Sequence, residues 1–511
     1  MNNVITFRKA ALSVVVSTCL LGASGLTSAY AGENLGSLKM ASDNNLCLDL
    51  ASNKLDVTFN TCNKSDSQEW YYDFVGNSGT NFFLKNKEKG STWCLRAFKT
   101  SLIKMDSCQG AGYTASRTWQ HQTLLNGNSL LRNKYIGDMG KVGHYLFNDN
   151  GQLSLDRKNL DEAPEWQTDA PLPEKKLTKA VGNKKIALLI THFDGKKPAN
   201  SDVIKQAVFG DKNDFTSLRQ HVSLSSRGKL TLSGDTFSDI NLGPMPNHCD
   251  TPRLRALIAK KAAEKGIDLS KYDSVFTEMS ANPKCTNAAI AALPGNFILS
   301  NGQGHKYWMW THEFGHNLGF GHIDALKSCS ASKNLVQIDG SCTRTSSNAT
   351  DKTDTMGGGG GHLYPANYQY LLGWLDSDSV PLAGKTAARY TLAPLWQQTN
   401  GLQALRIARK DGSYLVLEYR QPQPGYEDWS KEDSVVRGVT VRSYKVNDKQ
   451  QVSNTIIDMT PGSQSVAKDT LDAQLMPGKS FYDELSGRII SVETVNARGA
   501  VVTVSSSKFK D

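Results

Sequence analysis

Three histidines and a glutamate carry the most specific chemistry in this chain. His312, Glu313, His316, Gly319 and His322 form the pattern HExxHxxGxxH within Tyr307–His322. On a helix, His312 and His316 lie one turn apart and project from one face. Two imidazoles so placed suit zinc, and a third from His322 leaves the open fourth position that a catalytic zinc needs. Glu313 follows the first ligand and is not required as a ligand itself. It stands where a general base takes a proton from the nucleophilic water. Gly319 accepts a positive φ, so the chain can leave the helix there and swing His322 back. The competing reading is a buried amphipathic helix with incidental histidines. The chain has only 10 His and 43 Gly among 511 residues. Five fixed identities then arise by chance on the order of 10⁻⁵ of the time, which favours the metal reading.

The neighbouring wording sharpens the expectation. Trp310-Thr311-His312 through His322, LTLSGD at Leu230–Asp235 and the turn Asp354-Thr355-Met356-Gly357 together resemble the metzincin zinc metallopeptidases, in particular their gametolysin-like branch. The resemblance covers roughly Lys184 to Leu375. It implies an α+β catalytic domain over 184–376 and one catalytic Zn2+ on His312, His316 and His322. It further implies Glu313 as general base and an endopeptidase activity on protein or glycoprotein substrates. Met356 would be the apolar floor of the metal site, not a ligand. In that family the strand just before the zinc helix lies at the sheet edge, which places an extended substrate against 288–299. Some members add a tyrosine two residues past the turn methionine. Gly358 stands there in this chain. Tyr364 and His362 are then the candidates for that role, set against a plain loop-surface role.

Regular elements must hold these residues in place. Lys184–Asp194 is a nearly continuous apolar run and reads as a strand buried on both faces. Ser201–Phe209 and Pro252–Lys265 read as helices, the second opening on proline and stopping at Gly266. From 377 to 511 the chain alternates in β fashion between turn residues, which predicts an all-β, sandwich-like C-terminal domain. Asp428 and Asp483 are its candidate Ca2+ donors, weighed against turn capping.

Residues 33–170 repeat. Cys47-Leu48-Asp49-Leu50 leads to Gln68-Glu69-Trp70. Trp93-Cys94-Leu95-Arg96 leads to Arg117-Thr118-Trp119. Leu153-Ser154-Leu155-Asp156 leads to Pro164-Glu165-Trp166. Repeats this short must pool their apolar faces. The pattern resembles the ricin B-type β-trefoil, whose repeats carry a Q-x-W signature. The resemblance implies a tryptophan core and, at Asp49, a candidate carbohydrate-binding residue. The stacking position of that repeat is Asn60, and repeat two has Arg96 and Asp106 instead. Residues 171–183, with their prolines and lysines, read as a linker.

The first 31 residues carry Arg8 and Lys9, an apolar stretch and Ala29-Tyr30-Ala31, which reads as an export signal without a membrane anchor. Export places the cysteines in an oxidising compartment. Setting Cys19 aside leaves eight, and their spacing predicts sequential pairs: Cys47–Cys62, Cys94–Cys108, Cys249–Cys285 and Cys329–Cys342. The net charge of +9 comes from scattered lysines with no arginine-rich block, so no nucleic-acid partner is expected. Two function classes follow. One is a secreted zinc endopeptidase. The alternative is a carbohydrate-binding adhesin or lectin whose peptidase domain is accessory or inactive.

Overall fold

The computed structural model describes residues 33–506, apart from 76–80, 110–113, 124–127, 135–141, 160–162, 170–175, 211–214, 346–349, 385, 448 and 464–468. The export signal and Cys19 lie outside the described residues. No helix among those described is long and apolar enough to cross a membrane. The chain is multidomain and mostly β.

The first strands are β1 (Glu33–Met40), β2 (Asp43–Leu50), β3 (Val57–Thr61), β4 (Glu69–Phe74), β5 (Phe82–Asn86) and β6 (Trp93–Lys99). They are followed by β7 (Leu102–Ser107), β8 (Thr118–Thr123), β9 (Ser129–Asn133), β10 (Val142–Asp149), β11 (Gln152–Asn159) and β12 (Trp166–Thr168). β1, β4, β5, β8, β9 and β12 pair in an antiparallel ring that closes on itself. β2–β3, β6–β7 and β10–β11 form three hairpins. A six-stranded ring with three hairpins in threefold repetition is a β-trefoil. Each repeat is anchored alike: Trp70, Trp119 and Trp166 are fully buried. Their indole Nε1 groups donate to the carbonyls of Leu48, Leu95 and Leu146 at 2.9, 2.8 and 2.8 Å. The tryptophans are therefore shared core.

Those bonds correct the register of the third repeat. Leu146 on β10 is the counterpart of Leu48 and Leu95. Leu153-Ser154-Leu155-Asp156 lies one strand later, on β11. The third repeat has no cysteine to mark the equivalent strand: Tyr145 and Phe147 flank its leucine where the other repeats have a cysteine and a charged residue. The four disulfides join the expected pairs, two of them in the trefoil.

A second sheet combines β13 (Gly182–His192), β14 (Leu230–Asn241), β15 (Ser274–Met279), β16 (Ala289–Ala291) and β17 (Phe297–Asn301) in the order β14-β13-β15-β17-β16. All contacts are parallel except that of β16, which runs antiparallel at the edge. The apolar run on β13 serves two cores. Ile186, Leu188 and Ile190 pack with residues of α1 (Ser201–Phe209) and α2 (Leu218–Ser225). Ala187 and Leu189 pack with Leu254, Ile258 and Ala262 of α3 (Thr251–Glu264). Helices on both faces explain why the strand shows no polar alternation. Residues 288–299 are not one strand but span β16 and the start of β17. The edge is β16, whereas the strand directly before α4 (Tyr307–Asn317) is interior.

The remaining strands build a sandwich. β18 (Phe320–Lys327), β21 (Thr343–Thr345), β23 (Ala404–Ala408), β24 (Tyr414–Glu418), β25 (Thr440–Val446) and β26 (Val452–Ile457) form one sheet. β19 (Ser330–Ala331), β20 (Leu335–Ile338), β22 (Ala388–Leu392), β27 (Ser480–Asp483), β28 (Arg488–Asn496) and β29 (Gly499–Ser506) form the other. Val336, Leu405, Leu417, Phe481, Ile490 and Val502 meet between them in one apolar core. Hydrogen bonding thus crosses the sequence boundary at 376: β18 pairs with β26, and β20 with β27. Residues 320–345 are a part of the sandwich that composition does not reveal, because β18 follows within a few residues of α4 and the other three strands have only two to four residues. The described part of the linker, from Lys176 on, is also tighter than its composition implies. Leu177 is buried in the core beside β13, and Trp374 Nε1 donates to the Ala180 carbonyl at 2.6 Å.

A chain ending at 376 would leave β18 and β20 with open ladder edges and half a core. It is expected to aggregate or to lack a cooperative unfolding transition, measured by circular dichroism against the full chain. Cooperative unfolding of that fragment would show the β-module to be independent.

Candidate metal centre

α4 presents His312 and His316 from successive turns, and the helix ends where the third histidine must return. Gly319 follows with φ +101°, and a Cβ there would lie 2.4 Å from the Gln450 carbonyl oxygen. Only glycine fits that conformation and that approach. The chain then enters β18. Its register with β26 slips between Phe320 and Ile323, and His322 lies within this irregular stretch. His322 Nε2 thereby stands 3.2 Å from Nε2 of both His312 and His316.

The hydrogen bonds behind the rings decide what these nitrogens can do. His312 Nδ1 donates to the Thr355 carbonyl at 2.9 Å, and His316 Nδ1 donates to the Phe320 carbonyl at 2.7 Å. With the protons held on Nδ1, both Nε2 atoms turn lone pairs inward. Burial lowers the pKa of His312 and brings that of His316 to about 4, so both stay neutral at pH 7 as ligands must. Ligands about 2.0–2.1 Å from a tetrahedral zinc are about 3.3 Å apart, so the two 3.2 Å separations from His322 Nε2 fit that ion. Among the described residues, these histidines are the group of metal-binding side chains whose ligand atoms converge, all within 4.8 Å.

Glu313 is 7% exposed, and burial pushes its carboxyl up to about 7. A carboxyl in that range takes and returns a proton readily near neutrality. Met356 is buried beneath the helix. A Cβ on Gly315 would lie 2.5 Å from its sulfur, so the second variable position of HExxH must be glycine for Met356 to sit there. Gly315, Thr355 and Phe320 are parts of the site that residue types alone do not flag, since two act through backbone carbonyls and one by lacking a side chain.

The other candidates are engaged elsewhere. Tyr364 is fully buried and donates its hydroxyl to the Thr311 carbonyl at 2.6 Å, a core role. His362 stacks on Trp429 at 3.7 Å, and its Nε2 lies 2.9 Å from Asp428. Neither side chain therefore stands ready as an oxyanion partner. Asp483 is fully buried against Arg409, so it and Asp428 cap and pair instead of opening an oxygen cage for calcium. In the trefoil, Asp49 is 6% exposed and accepts from Asn60 at 3.1 Å and Gln68 at 2.9 Å. In repeat two, Asp106 accepts from Arg96 and Arg117 at 2.6 and 2.7 Å.

The chain matches no protein-family profile and none of the curated proteins. Solved structures similar to part of it include the β-trefoil lectin of the Vibrio vulnificus hemolysin/cytolysin with N-acetyl-D-lactosamine bound. That likeness has 20% identity and a TM-score of 0.22, and covers 29% of this chain and 99% of that one. SeviL bound to asialo-GM1 saccharide has 14% identity and a TM-score of 0.21, covering 27% and 96%. The cytolethal distending toxin from Actinobacillus actinomycetemcomitans has 10% identity and a TM-score of 0.22, covering 28% and 97%.

Glu418, Arg420 and Arg442 form a buried ionic cluster. Glu418 accepts from Arg442 at 2.7 Å, Arg420 at 3.0 Å and the Ala366 amide at 2.8 Å. Burial alone would raise its pKa. The Arg420 and Arg442 charges outweigh that and hold it down to about 2, below its ordinary 4.5. A lowered folded-state pKa contributes stability that is full above the ordinary value and is lost as pH falls toward the folded one. Glu418→Gln is expected to cost roughly 3–5 kcal/mol at pH 7 by leaving two buried arginines short of a partner. In urea titrations, the gap from wild type should narrow between pH 4.5 and about 2.

Proposed function

We propose that this chain is an exported zinc-dependent endopeptidase that hydrolyses peptide bonds of extracellular proteins or glycoproteins. The observation that carries the reading is the convergence of the His312, His316 and His322 Nε2 atoms, with the buried Glu313 next in sequence to the first of them. Zinc held there supplies Lewis acidity to the scissile carbonyl and to the attacking water. Glu313 takes the proton of that water and returns it to the leaving amine. Thr355 and Phe320, through their carbonyls, keep the two helix imidazoles in the tautomer that offers Nε2.

β16 supports a peptide substrate over a small one. One side of β16 pairs with β17, and the other side ends the sheet, next to α4. An extended peptide can add there as a further strand and lie across the metal-binding helix. The resemblance of the stretch around α4 and Met356 to gametolysin-like metzincins points the same way. The test is casein or gelatin cleavage by wild type and Glu313→Ala, with and without a zinc chelator. Loss of the base is expected to lower the rate by about 10²–10⁴-fold, and chelation to abolish activity until zinc is returned. Activity that survives both treatments would contradict the proposal.

The second reading, a carbohydrate-binding adhesin with an accessory peptidase domain, rests on the β-trefoil and on Asp49, in a ricin B-like repeat. Asp49 keeps one carboxylate oxygen buried without a hydrogen-bond partner while the other is tied to Asn60 and Gln68. A sugar must displace Asn60 to reach it. On this reading the full-length chain binds immobilised glycans and Asp49→Ala does not. Equal binding by both would remove Asp49 from the reading, and no binding at millimolar sugar would leave the trefoil a docking or spacing role.

A further inference from the structure

The metal-binding residues touch the C-terminal strands at two places, both on or beside β26. The first is His322. Its strand, β18, pairs in parallel with β26: Phe320 faces Val452, Ile323 faces Asn454, and the Val452 amide donates to the Gly319 carbonyl at 2.8 Å. The second is the turn that carries Thr355, whose carbonyl holds His312 Nδ1.

Two aspartates fix that turn, and each uses both of its oxygens. Asp351 Oδ1 accepts from the Thr353 amide at 2.9 Å and the Thr353 hydroxyl at 2.6 Å, while its Oδ2 accepts from Arg442 at 2.8 and 3.1 Å. Asp354 Oδ1 accepts from the Met356 amide at 2.9 Å, while its Oδ2 accepts from the Asn454 side-chain amide at 3.0 Å. One oxygen of each carboxylate thus shapes the turn, and the other fastens it to β25 or β26. Arg442, Asp351, Asp354 and Asn454 are all buried. A buried ion pair often stabilises no better than an apolar replacement of the same volume. Its forked, directional hydrogen bonds do fix geometry.

We propose that Arg442 and Asn454 are positioning residues of the metal centre, holding the Thr355 carbonyl against His312 and, through β26, His322 against the other two imidazoles. The inference rests on the reading of the three histidines as zinc ligands. It gives the C-terminal β-strands a task in the site that the HExxHxxGxxH pattern does not announce. Outer partners of ligating histidines typically contribute ten- to a hundredfold in metal affinity.

The experiment uses the full-length chain with zinc and with cobalt as a spectroscopic stand-in. Asn454→Ala removes one amide and leaves every ion pair in place. Arg442→Lys keeps the charge and loses the fork. Zinc affinity, measured by competition with a chromophoric chelator, is expected to fall ten- to a hundredfold in both variants. The visible cobalt spectrum should shift while the far-ultraviolet circular dichroism stays that of wild type. Should Arg442→Lys not fold, Asn454→Ala decides. A folded Asn454→Ala chain with wild-type zinc affinity and an unchanged cobalt spectrum would overturn the inference alone. A wild type that takes up no cobalt would overturn the metal reading and this inference with it.

Discussion

His312 Nε2 and His316 Nε2, whose rings keep their protons on Nδ1, each lie 3.2 Å from His322 Nε2, and the surrounding structure is organised to hold the three nitrogens there. A helix supplies two, a glycine turn and an irregular strand supply the third, and backbone carbonyls behind two of the rings keep their protons away from the centre. A cation placed between the three could accept a lone pair from each at once, which one shared proton cannot do. Holding three ring nitrogens in one arrangement takes fixed geometry from every element that carries them. That explains why so much rigid material converges on one point: α4 from the α/β sheet, β18 from the sandwich, and a turn with four buried polar partners.

The parts of this site differ in how plainly they could be read. The three histidines and Glu313 were legible because each is a chemical type at a fixed spacing, three of them on one helix and His322 just past its end. Gly319 was legible because a chain leaving a helix abruptly needs a positive φ, and it has one. Thr355 and Phe320 were not, since a carbonyl belongs to every residue. Arg442 and Asn454 were not, because they lie over a hundred residues beyond the histidines, and their pairing with Asp351 and Asp354 is a tertiary fact. Tyr364 illustrates the opposite case: a residue type suited to catalysis, drawn by burial into a bond with Thr311.

The fold shows the same division. The buried strand β13, the helix of 252–265 and the trefoil's tryptophans follow from local periodicity. The third trefoil repeat was displaced by one strand because Leu146 has no cysteine beside it, and only the indole bond to its carbonyl reveals the match. The boundary at 376 marks a real change in composition, yet β18 and three strands of two to four residues within 320–345 join both sheets beyond it. Strands of two to four residues carry too little alternation to be told from loops. The sandwich and the three converging histidines are consequently joined through β18, which carries His322 and pairs with β26.

The central claim is that three imidazoles of this chain hold one zinc ion with a position left open. X-ray absorption at the zinc edge on the purified full-length protein tests it most directly. The account predicts one zinc per chain, three imidazole scatterers and one light oxygen or nitrogen neighbour, all at about 2.0–2.1 Å. A sulfur neighbour at about 2.3 Å, or no zinc retained at stoichiometric loading, would contradict it.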